Sequence, residues 1–395
     1  MLHRSAKDAA ASGDASPGPP RRRVLIVATG RDRGALAAIR AFRAAGWYVG
    51  VGTPDGGGVL GSSRASHASY RVPRPRHDGR DFVEGVRRAA LSGSFDLVFG
   101  GGDDWMAALS AYREQLPLPV AHPPFDVVET VLDKMRLADH AATVGLASPR
   151  TVLATDEALA TWDGPVVVKC KEHWAPDQTQ SLRIEAKLFA TTGDALAQVE
   201  RIRAAGAQPI LQEVVAGTLG ALIGVFHEGR LYGRTQQVST RLWPTPNGAS
   251  ARAYTVPVDE DLSTRVEALL EDLGWHGLVE LQFLTGHDGV PHLIDFNGRF
   301  FGSLALAESA GEGLVRTWAE LALGGPAPTL PDARPGRRYS WLAGDLRRAR
   351  VERRNGMLRD VVTSLRWALT AQHSTLSLRD PLPSLALARG RVRRR

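Results

Sequence analysis

Two neighbouring apolar segments late in the chain carry polar side chains where a buried strand rarely tolerates them. The segments are residues 277–284 and 292–296, and their length and composition predict two β-strands joined by a hairpin turn. Because side chains alternate along a strand, Glu280 would meet Asp295 and Asn297 on one face of such a pair. Carboxylates in apolar strands are costly to desolvate unless a cation compensates them. Two carboxylates and an amide oxygen are ligands that suit Mg²⁺, with Mn²⁺ as an alternative, so we predict a metal site here. A polar, solvated strand face is the alternative interpretation.

Charge is distributed unevenly along the 395 residues. The formal net charge is +7, but residues 331–395 contain 16 Arg and 5 Asp or Glu and alone carry +11. The remaining residues therefore carry −4. The high isoelectric point describes the C-terminal region, and we predict no nucleic-acid-binding core.

The length and composition predict a globular protein of two or three domains, because 43% of the residues are hydrophobic and 23% are charged. The lone cysteine, Cys170, excludes an internal disulfide framework and is typical of a reducing compartment. No apolar run approaches the roughly 20 residues that a membrane-spanning helix needs. We therefore expect a cytoplasmic protein.

The N-terminal third shows the strand–helix alternation of a parallel sheet. Residues 1–20 lack hydrophobic periodicity and predict a disordered tail. A buried strand at Val24–Thr29 precedes a helix at 34–45, and further strands are indicated at 48–51 and 96–99. Asp103 and Asp104 follow the last of these strands, where they could cap a helix or meet an ammonium group.

Two lysines occupy positions that suggest anion binding. Lys134 lies in a helical pattern over residues 126–144, and Lys169 ends an apolar strand at 166–169. A lysine at the end of a buried strand needs an anion, and a phosphate group fits. Taken singly, each lysine would more often be a surface charge.

Residues 209–217 form an apolar strand that runs into a connection. Such a connection can offer backbone groups to the edge of a purine ring between apolar walls. Gln212, Glu213 and Val215 are the candidates for these contacts. An ordinary strand is the alternative.

In this order and spacing, the lysines, the connecting segment and the polar hairpin resemble the ATP-grasp superfamily, and within it the carboxylate–amine ligases. The resemblance spans about residues 24–325. It implies an α/β (α+β) architecture: a Rossmann-like pre-ATP-grasp domain at 21–125, an ATP-grasp domain at 126–330, and a basic helical C-terminal extension at 331–395. The lid subdomain would span about 148–212 and the large subdomain about 213–330.

The same resemblance implies site roles and an activity. Lys134 and Lys169 would bind the phosphates of ATP, Gln212, Glu213 and Val215 the adenine, and Glu280, Asp295 and Asn297 the metal. Arg299 would hold the substrate carboxylate and later the oxyanion, with Arg241 and Ser303 as substrate-binding residues. The implied enzyme joins a small-molecule carboxylate to an amine or a thiol through an acyl phosphate and releases ADP and phosphate. A catalytically weak module that binds nucleotide or a partner protein is the alternative.

The chain departs from the family pattern at several positions. Asp295 stands where the family usually has Glu, and Gln212 where many relatives have an acid. The acid expected near Leu219 is absent. The lid loop after Lys169 contains no glycine, which weakens the expectation that its backbone N–H groups bind phosphates; side chains such as Lys171 or His173 could supply contacts instead.

The C-terminal region contains an amphipathic helical pattern. Over residues 357–369, apolar side chains share one face of a predicted helix, namely Leu358, Val361, Val362, Leu365 and Leu369. An arginine-rich helix of this kind can cover the core of its own protein, which we favour, or lie on an anionic membrane surface or an acidic partner. The terminal arginines 391 and 393–395 fit solvent or the same acidic partners.

Overall fold

The computed structural model describes residues 21–75, 79–172, 174, 176, 184–311, 313–327 and 329–392, with the side chains of residues 391 and 392 excepted. The tail predicted at residues 1–20 and the terminal arginines 393–395 lie outside the described residues. Among the described residues, no helix combines the length and the apolar content needed to cross a bilayer.

The N-terminal domain contains a four-stranded parallel sheet, as the alternating pattern predicts. Its strand order is β3-β2-β1-β4: β2 and β3 lie on one side of β1, and β4 lies on the other. The strands are β1 Arg23–Val27, β2 Tyr48–Thr53, β3 Ala68–Arg71 and β4 Leu97–Gly100, and the helices are α1 Arg33–Ala44, α2 Gly58–Gly61, α3 Gly79–Gly93 and α4 Asp103–Ala111, followed by a 3₁₀ turn at Arg113–Gln115. Helices cover the sheet, so β1 is hydrophobic after Arg23, and Val24 to Val27 are fully buried. The loops after β1 and β4 open at one edge, where such sheets bind ligands.

The single helix predicted over residues 126–144 is in fact two. α5 spans Phe125–Leu132 and α6 spans Lys134–Thr143. Asp133 lies between them in an extended conformation and accepts hydrogen bonds from the backbone N–H groups of Met135 and Arg136. Asp133 is therefore an N-cap that starts a new helix, and Lys134 occupies its first position.

A small antiparallel sheet with order β5-β8-β6-β7 follows. Its elements are β5 Thr151–Leu153, α7 Asp156–Thr161, β6 Val166–Cys170, β7 Lys187–Phe189, α8 Thr192–Ala204 and β8 Pro209–Glu213. Alternate residues of β6 are buried against α8 in a separate core. This small sheet therefore has its own hydrophobic cluster.

A large sheet with order β13-β12-β9-β10-β11-β14-β15 forms the centre of the molecule. The elements are β9 Thr218–His227, β10 Arg230–Trp243, β11 Ala249–Val256, α9 Glu260–Asp272, β12 Gly277–Thr285, β13 Pro291–Asn297, α10 Leu304–Gly311, α11 Leu314–Ala322, β14 Arg338–Ser340 and β15 Gln372–His373. Residues 331–395 thus contribute two strands to this sheet. Tyr339 of β14 also donates a hydrogen bond from its hydroxyl to the backbone oxygen of Gly302, at 2.6 Å.

The N-terminal domain and the large sheet share their core. Phe99 of β4 packs on Phe300 and on Trp318 of α11, with ring centroids 5.5 and 4.6 Å apart. Gly34 at the start of α1 lies against the backbone of Phe300 and Phe301, where a Cβ atom would approach within 2.6 Å. This packing holds the open edge of the N-terminal sheet against the end of β13.

The C-terminal helices are α12 Leu342–Glu352, α13 Met357–Ala368 and α14 Leu382–Val392. The favoured prediction that the apolar face of the 357–369 helix covers the core is wrong. Leu358 is 77% exposed and Leu369 is 85% exposed, whereas the buried residues of α13 include Asp360 and Ser364. The reason is a buried arginine, Arg348, whose guanidinium binds Asp345 and Asp360 and draws the polar face of α13 inward.

Candidate active site

The polar hairpin forms as the alternating pattern predicts. β12 and β13 are antiparallel, with Glu280 opposite Asn297 and Gln282 opposite Asp295. The Asn297 side-chain N–H donates to Glu280 Oε2 at 3.0 Å. β12 also pairs with β9, so Glu280 lies inside the sheet and is only 2% exposed. The three predicted metal ligands are therefore on one face.

Glu280 is surrounded by neutral hydrogen-bond donors. Gln237, Gln282, Asn297 and Ser303 donate to its two carboxylate oxygens at 3.0 to 3.3 Å. Burial raises the pKa of Glu280 to about 7, although the charge of Arg299 and the hydrogen bonds oppose the shift. A cation gains the most binding free energy beside a buried carboxylate whose hydrogen-bond donors are all neutral.

Lys134 reaches the hairpin from the start of α6 and forms an ion pair with Asp295. Burial of Asp295 opposes its ionisation, but the charge and hydrogen bond of Lys134, with Lys169 nearby, outweigh burial and hold its pKa below the usual value. Because Asp133 starts α6 immediately before Lys134, the cap fixes where this lysine enters the site.

Lys169 approaches from the small sheet, on β6. Burial and the charge of Lys134 lower the pKa of Lys169 to about 8, and Asp295 counteracts them. Lys171 does not face open space: its ammonium group lies 2.9 Å from Asp133 Oδ2, and its backbone oxygen accepts from Lys134 N at 3.2 Å. His173 lies outside the described residues. The two candidate phosphate-binding lysines thus converge on Asp295 from different elements.

Arg299 is bound by an acid from the N-terminal domain. Its Nε and Nη2 atoms lie 2.8 and 3.1 Å from the two carboxylate oxygens of Asp103, at the start of α4. Burial disfavours the charge of Arg299, but Asp103, with Asp32 and Asp295 at longer range, outweighs it and raises the arginine pKa. Of the two interpretations of this acidic pair, the structure shows Asp103 in an ion pair with Arg299, whereas Asp104 Oδ1 accepts from the backbone N–H of Trp105 at 3.1 Å in the first turn of α4.

The segment proposed for adenine lies where β8 ends. Gln212 is buried and donates its side-chain N–H to Thr151 Oγ1 at 2.9 Å, whereas Glu213 is exposed and accepts from the backbone N–H of Arg150 at 3.2 Å. Val215 lies in the connection between β8 and β9. This connection joins the small sheet to the large one, so it borders the space between them.

The two residues expected at the substrate lie apart. Ser303 is 5% exposed, and its hydroxyl donates to Glu280 and accepts from Gln237, so it supports the carboxylate. Arg241 lies near the end of β10, donates to the backbone oxygen of Thr240, and among the described residues its Nε has no partner. Burial and the neighbouring arginines 354, 252 and 348 lower the pKa of Arg241. Of these two side chains, only Ser303 contacts the Glu280 cluster directly.

Three solved structures resemble this one in fold. The L-amino acid ligase of Bacillus licheniformis has a TM-score of 0.63 and 15% identity, and the match covers 81% of this chain and 79% of that one. The biotin carboxylase domain of 2-oxoglutarate carboxylase from Hydrogenobacter thermophilus, with MgADP and bicarbonate, has a TM-score of 0.62 and 13% identity over 80% of this chain and 73% of that one. N5-carboxyaminoimidazole synthetase of Staphylococcus aureus, with ADP, has a TM-score of 0.59 and 11% identity over 80% of each chain. A family model described as ATP-grasp in the biosynthetic pathway with Ter operon matches residues 245–344.

The chain has the ATP-grasp fold. The segment matched by the family model runs from just before β11 to the start of α12 and includes the whole polar hairpin, Arg299 and Ser303. No curated protein matches the chain in sequence. The resemblance stated from the sequence is thus confirmed at the level of fold.

The ATP-grasp hairpin of this chain fits a divalent cation. Glu280, Asp295 and Asn297 offer hard oxygen atoms, and Gln237 Oε1 is buried and has no hydrogen-bond partner among the described residues. Across those residues, no cluster of three or more His, Cys, Asp or Glu side chains is arranged to hold a metal. The candidate site therefore depends on amide oxygens beside its two carboxylates.

Sequence reasoning missed some members of this candidate site. Gln237 comes from β10, two strands away from Glu280 in the large sheet, and no local pattern indicates that pairing. Asp133 lies in a continuous helical pattern, although Asp is one of the preferred N-cap residues. Asp103 was singled out, but its partner Arg299 is 196 residues away in sequence.

Proposed function

We propose that this chain is an ATP-dependent ligase that joins a small-molecule carboxylate to an amine through an acyl phosphate. The observation that carries the proposal is the Glu280 cluster: a buried carboxylate, paired directly with Asn297, beside an Asp295 that contacts Lys134. The fold similarity to an L-amino acid ligase and to an N5-carboxyaminoimidazole synthetase with bound ADP supports the same assignment.

The proposed division of the chain keeps a pre-ATP-grasp domain at 21–125, a lid near 148–212 and a large subdomain from about 213. Since β14 and β15 belong to the large sheet, the large subdomain continues beyond residue 330. ATP would lie between the lid and the large sheet, with its adenine at Gln212, Glu213 and Val215. This places the phosphates toward the two lysines.

Each residue has a distinct task in the proposed reaction. Glu280, Asp295 and Asn297 would hold Mg²⁺, which when bound supplies positive charge to the phosphates. Lys134 and Lys169 neutralise phosphate oxygens as a substrate carboxylate oxygen attacks the γ-phosphorus and ADP leaves. Arg299 holds the carboxylate, and Asp103 orients the arginine.

The second half-reaction transfers the acyl group. The amine nitrogen attacks the acyl carbon, the C–O bond to phosphate breaks, and inorganic phosphate leaves with the electron pair of that bond. The amine loses a proton to complete the amide. Arg299 stabilises the oxyanion of the tetrahedral intermediate, since its charge and planar donors suit two oxygens. Arg241 would bind an acidic group on one of the substrates.

The direct test uses the full chain with ATP, Mg²⁺ and mixed amino acids. We expect ADP and phosphate release that depends on the amino acids, and mass spectrometry should detect the condensed product. An Asn297→Ala variant serves as the control, because it removes a proposed metal ligand. Tight binding of MgATP with no turnover across a broad panel of acids and amines would instead favour the binding-module alternative.

Replacing Lys169 by Met should weaken ATP binding without destabilising the fold. The lysine is partly buried, and burial lowers its pKa to about 8, so methionine removes a poorly solvated charge while keeping similar volume. We expect ATP affinity to fall about 10- to 100-fold, the size of one charge-assisted contact. Calorimetric titration and thermal unfolding measure the two effects.

The matched control is Lys187→Met, since Lys187 lies exposed on β7 of the same sheet, paired with β6. That variant should leave ATP affinity unchanged. A large drop in the unfolding temperature of the ligand-free Lys169→Met protein would assign Lys169 a structural role instead.

Nucleotide binding should also depend on pH through Glu280. Its pKa of about 7 means that the free site is protonated at pH 6 and ionised at pH 8, and a metal ligand must be deprotonated. The affinity for MgADP should therefore rise about tenfold between these pH values, with proton release on binding. Calorimetry in buffers of different ionisation enthalpy measures the number of protons released on binding. In Glu280→Gln this rise should disappear and only the titrations of the nucleotide and of Lys169, whose pKa is about 8, should remain; an identical pH profile in that variant would contradict the metal assignment.

A further inference from the structure

Helix α13 is attached to the protein through its polar side. Asp360 accepts two hydrogen bonds from the Arg348 guanidinium at 2.7 and 2.9 Å, and Ser364 Oγ accepts from Arg252 at 2.8 Å. Both Asp360 and Ser364 are at most 4% exposed. These buried polar contacts fix the orientation of the helix, so its opposite face is held outward.

That outward face is apolar. Leu358, Val362, Leu365 and Leu369 are separated by four, three and four residues, so they form one straight stripe along the helix. Their exposed fractions are 77%, 46%, 46% and 85%. We call these four residues the α13 stripe. Leucines this exposed, aligned on a rigid helix, mark an interaction surface.

The stripe has basic neighbours and no acidic ones. Arg359 and Arg366, seven residues apart, are exposed along its border. Within residues 357–370, all of which the structure describes, the single acid is Asp360, and it is buried against Arg348. The other acids of the C-terminal region also face arginines: Asp332 with Arg234, Asp345 with Arg252, Glu352 with Arg348 and Asp380 with Arg40. Consequently the exposed arginines, Arg359 and Arg366, give this surface a positive charge.

We propose that the α13 stripe lies on an anionic membrane surface. Leucine and valine side chains would enter the boundary between headgroups and acyl chains, while Arg359 and Arg366 pair with lipid phosphates beside them. A second copy of the chain fits less well, because a two-fold contact through the stripe would bring the arginines of both copies together. The basic end of the sequence, arginines 391 and 393–395, adds charge of the same sign. The proposal is independent of the ligase reaction.

Sedimentation of the full chain with lipid vesicles tests the proposal. We expect binding to vesicles of phosphatidylcholine mixed with phosphatidylglycerol, little binding to phosphatidylcholine alone, and release by salt. The double variant Leu358→Ser/Leu369→Ser should abolish sedimentation. Arg359→Gln/Arg366→Gln should weaken it roughly 20-fold, the expected effect of two arginines at an anionic surface. Unchanged thermal unfolding would show that the variants still fold.

The matched control is Leu91→Ser/Leu196→Ser, which removes exposed leucines from α3 and α8 and should bind vesicles as the parent does. Equal binding to neutral and anionic vesicles, or no loss in the stripe variant, would overturn the proposal. A dimer that light scattering detects in the parent and not in the stripe variant would also overturn it. The same holds if the protein does not bind vesicles but is retained on an acidic protein surface through the stripe.

Discussion

Replacing Glu280 by glutamine is expected to abolish turnover and, at the same time, to stabilise the ligand-free protein above pH 7. The loss of a metal-binding carboxylate should lower kcat by at least about 100-fold. The gain in stability arises because the folded protein holds a buried carboxylate whose pKa is raised from 4.5 to about 7. Gln237 Oε1, which has no partner among the described residues, can accept a hydrogen bond from the new amide.

The sign of the stability effect follows from proton binding. Below about pH 4.5 Glu280 is protonated in both the folded and the unfolded chain, so it contributes no penalty. Between about pH 4.5 and pH 7 the unfolded chain releases its proton first, and the free energy of unfolding falls. We expect the free energy of unfolding of Glu280→Gln to exceed that of the parent by about 3 kcal/mol at pH 8, with a higher unfolding temperature, and to equal it at pH 4.

Thermal unfolding at both pH values and a coupled assay for ADP release measure these effects. Glu271→Gln, on the exposed side of α9, is the control and should change neither quantity. Full activity in Glu280→Gln would remove the basis for the metal assignment. A loss of stability at pH 8 would show that the carboxylate holds the hairpin together instead.

Replacing Arg299 by methionine should have the second large effect, on both folding and turnover. The variant leaves Asp103 without its bidentate partner, in a region that also contains Asp32 and Asp295. Breaking a largely buried ion pair by removing one member costs about 3 kcal/mol. We expect a lower unfolding temperature together with loss of ligase activity.

The double variant Arg299→Met/Asp103→Asn separates the two roles. Neutralising Asp103 removes the uncompensated charge, so most of the lost stability should return, but activity should not, because no guanidinium remains to hold the carboxylate. Circular dichroism melts and single-turnover product analysis distinguish the contributions. Recovery of activity along with stability would mean that Arg299 acts only as a structural link between the N-terminal domain and β13.

Sequence periodicity predicted the local geometry of the hairpin well because that geometry follows from alternation. Glu280, Asp295 and Asn297 share a face for the same reason that Val279 and Leu281 are buried on the other. Partners that come from distant strands or domains had no such signal. Gln237 and Asp103 reach Glu280 and Arg299 only because of the order of strands and the docking of the N-terminal domain.

The prediction for α13 failed because it assumed that apolar residues decide which face is buried. Arg348 is fully buried with three acids within 2.9 Å, and such a charged cluster cannot be left half satisfied. The need to complete it with Asp360 outweighs the gain from burying four apolar side chains. Composition alone does not show which of these two demands is stronger.

Asp133 links two parts of the molecule through a single side chain. One carboxylate starts α6 and also holds Lys171, which lies one residue beyond the strand that carries Lys169. Any swing of the small sheet that pulls Lys171 away would deprive Asp133 of its counter-ion beside the first turn that positions Lys134. Lys134 and Lys169, the two lysines that we propose to bind phosphate, are thus positioned with the help of the same carboxylate, and we expect nucleotide binding to fix both ammonium groups in one coupled movement.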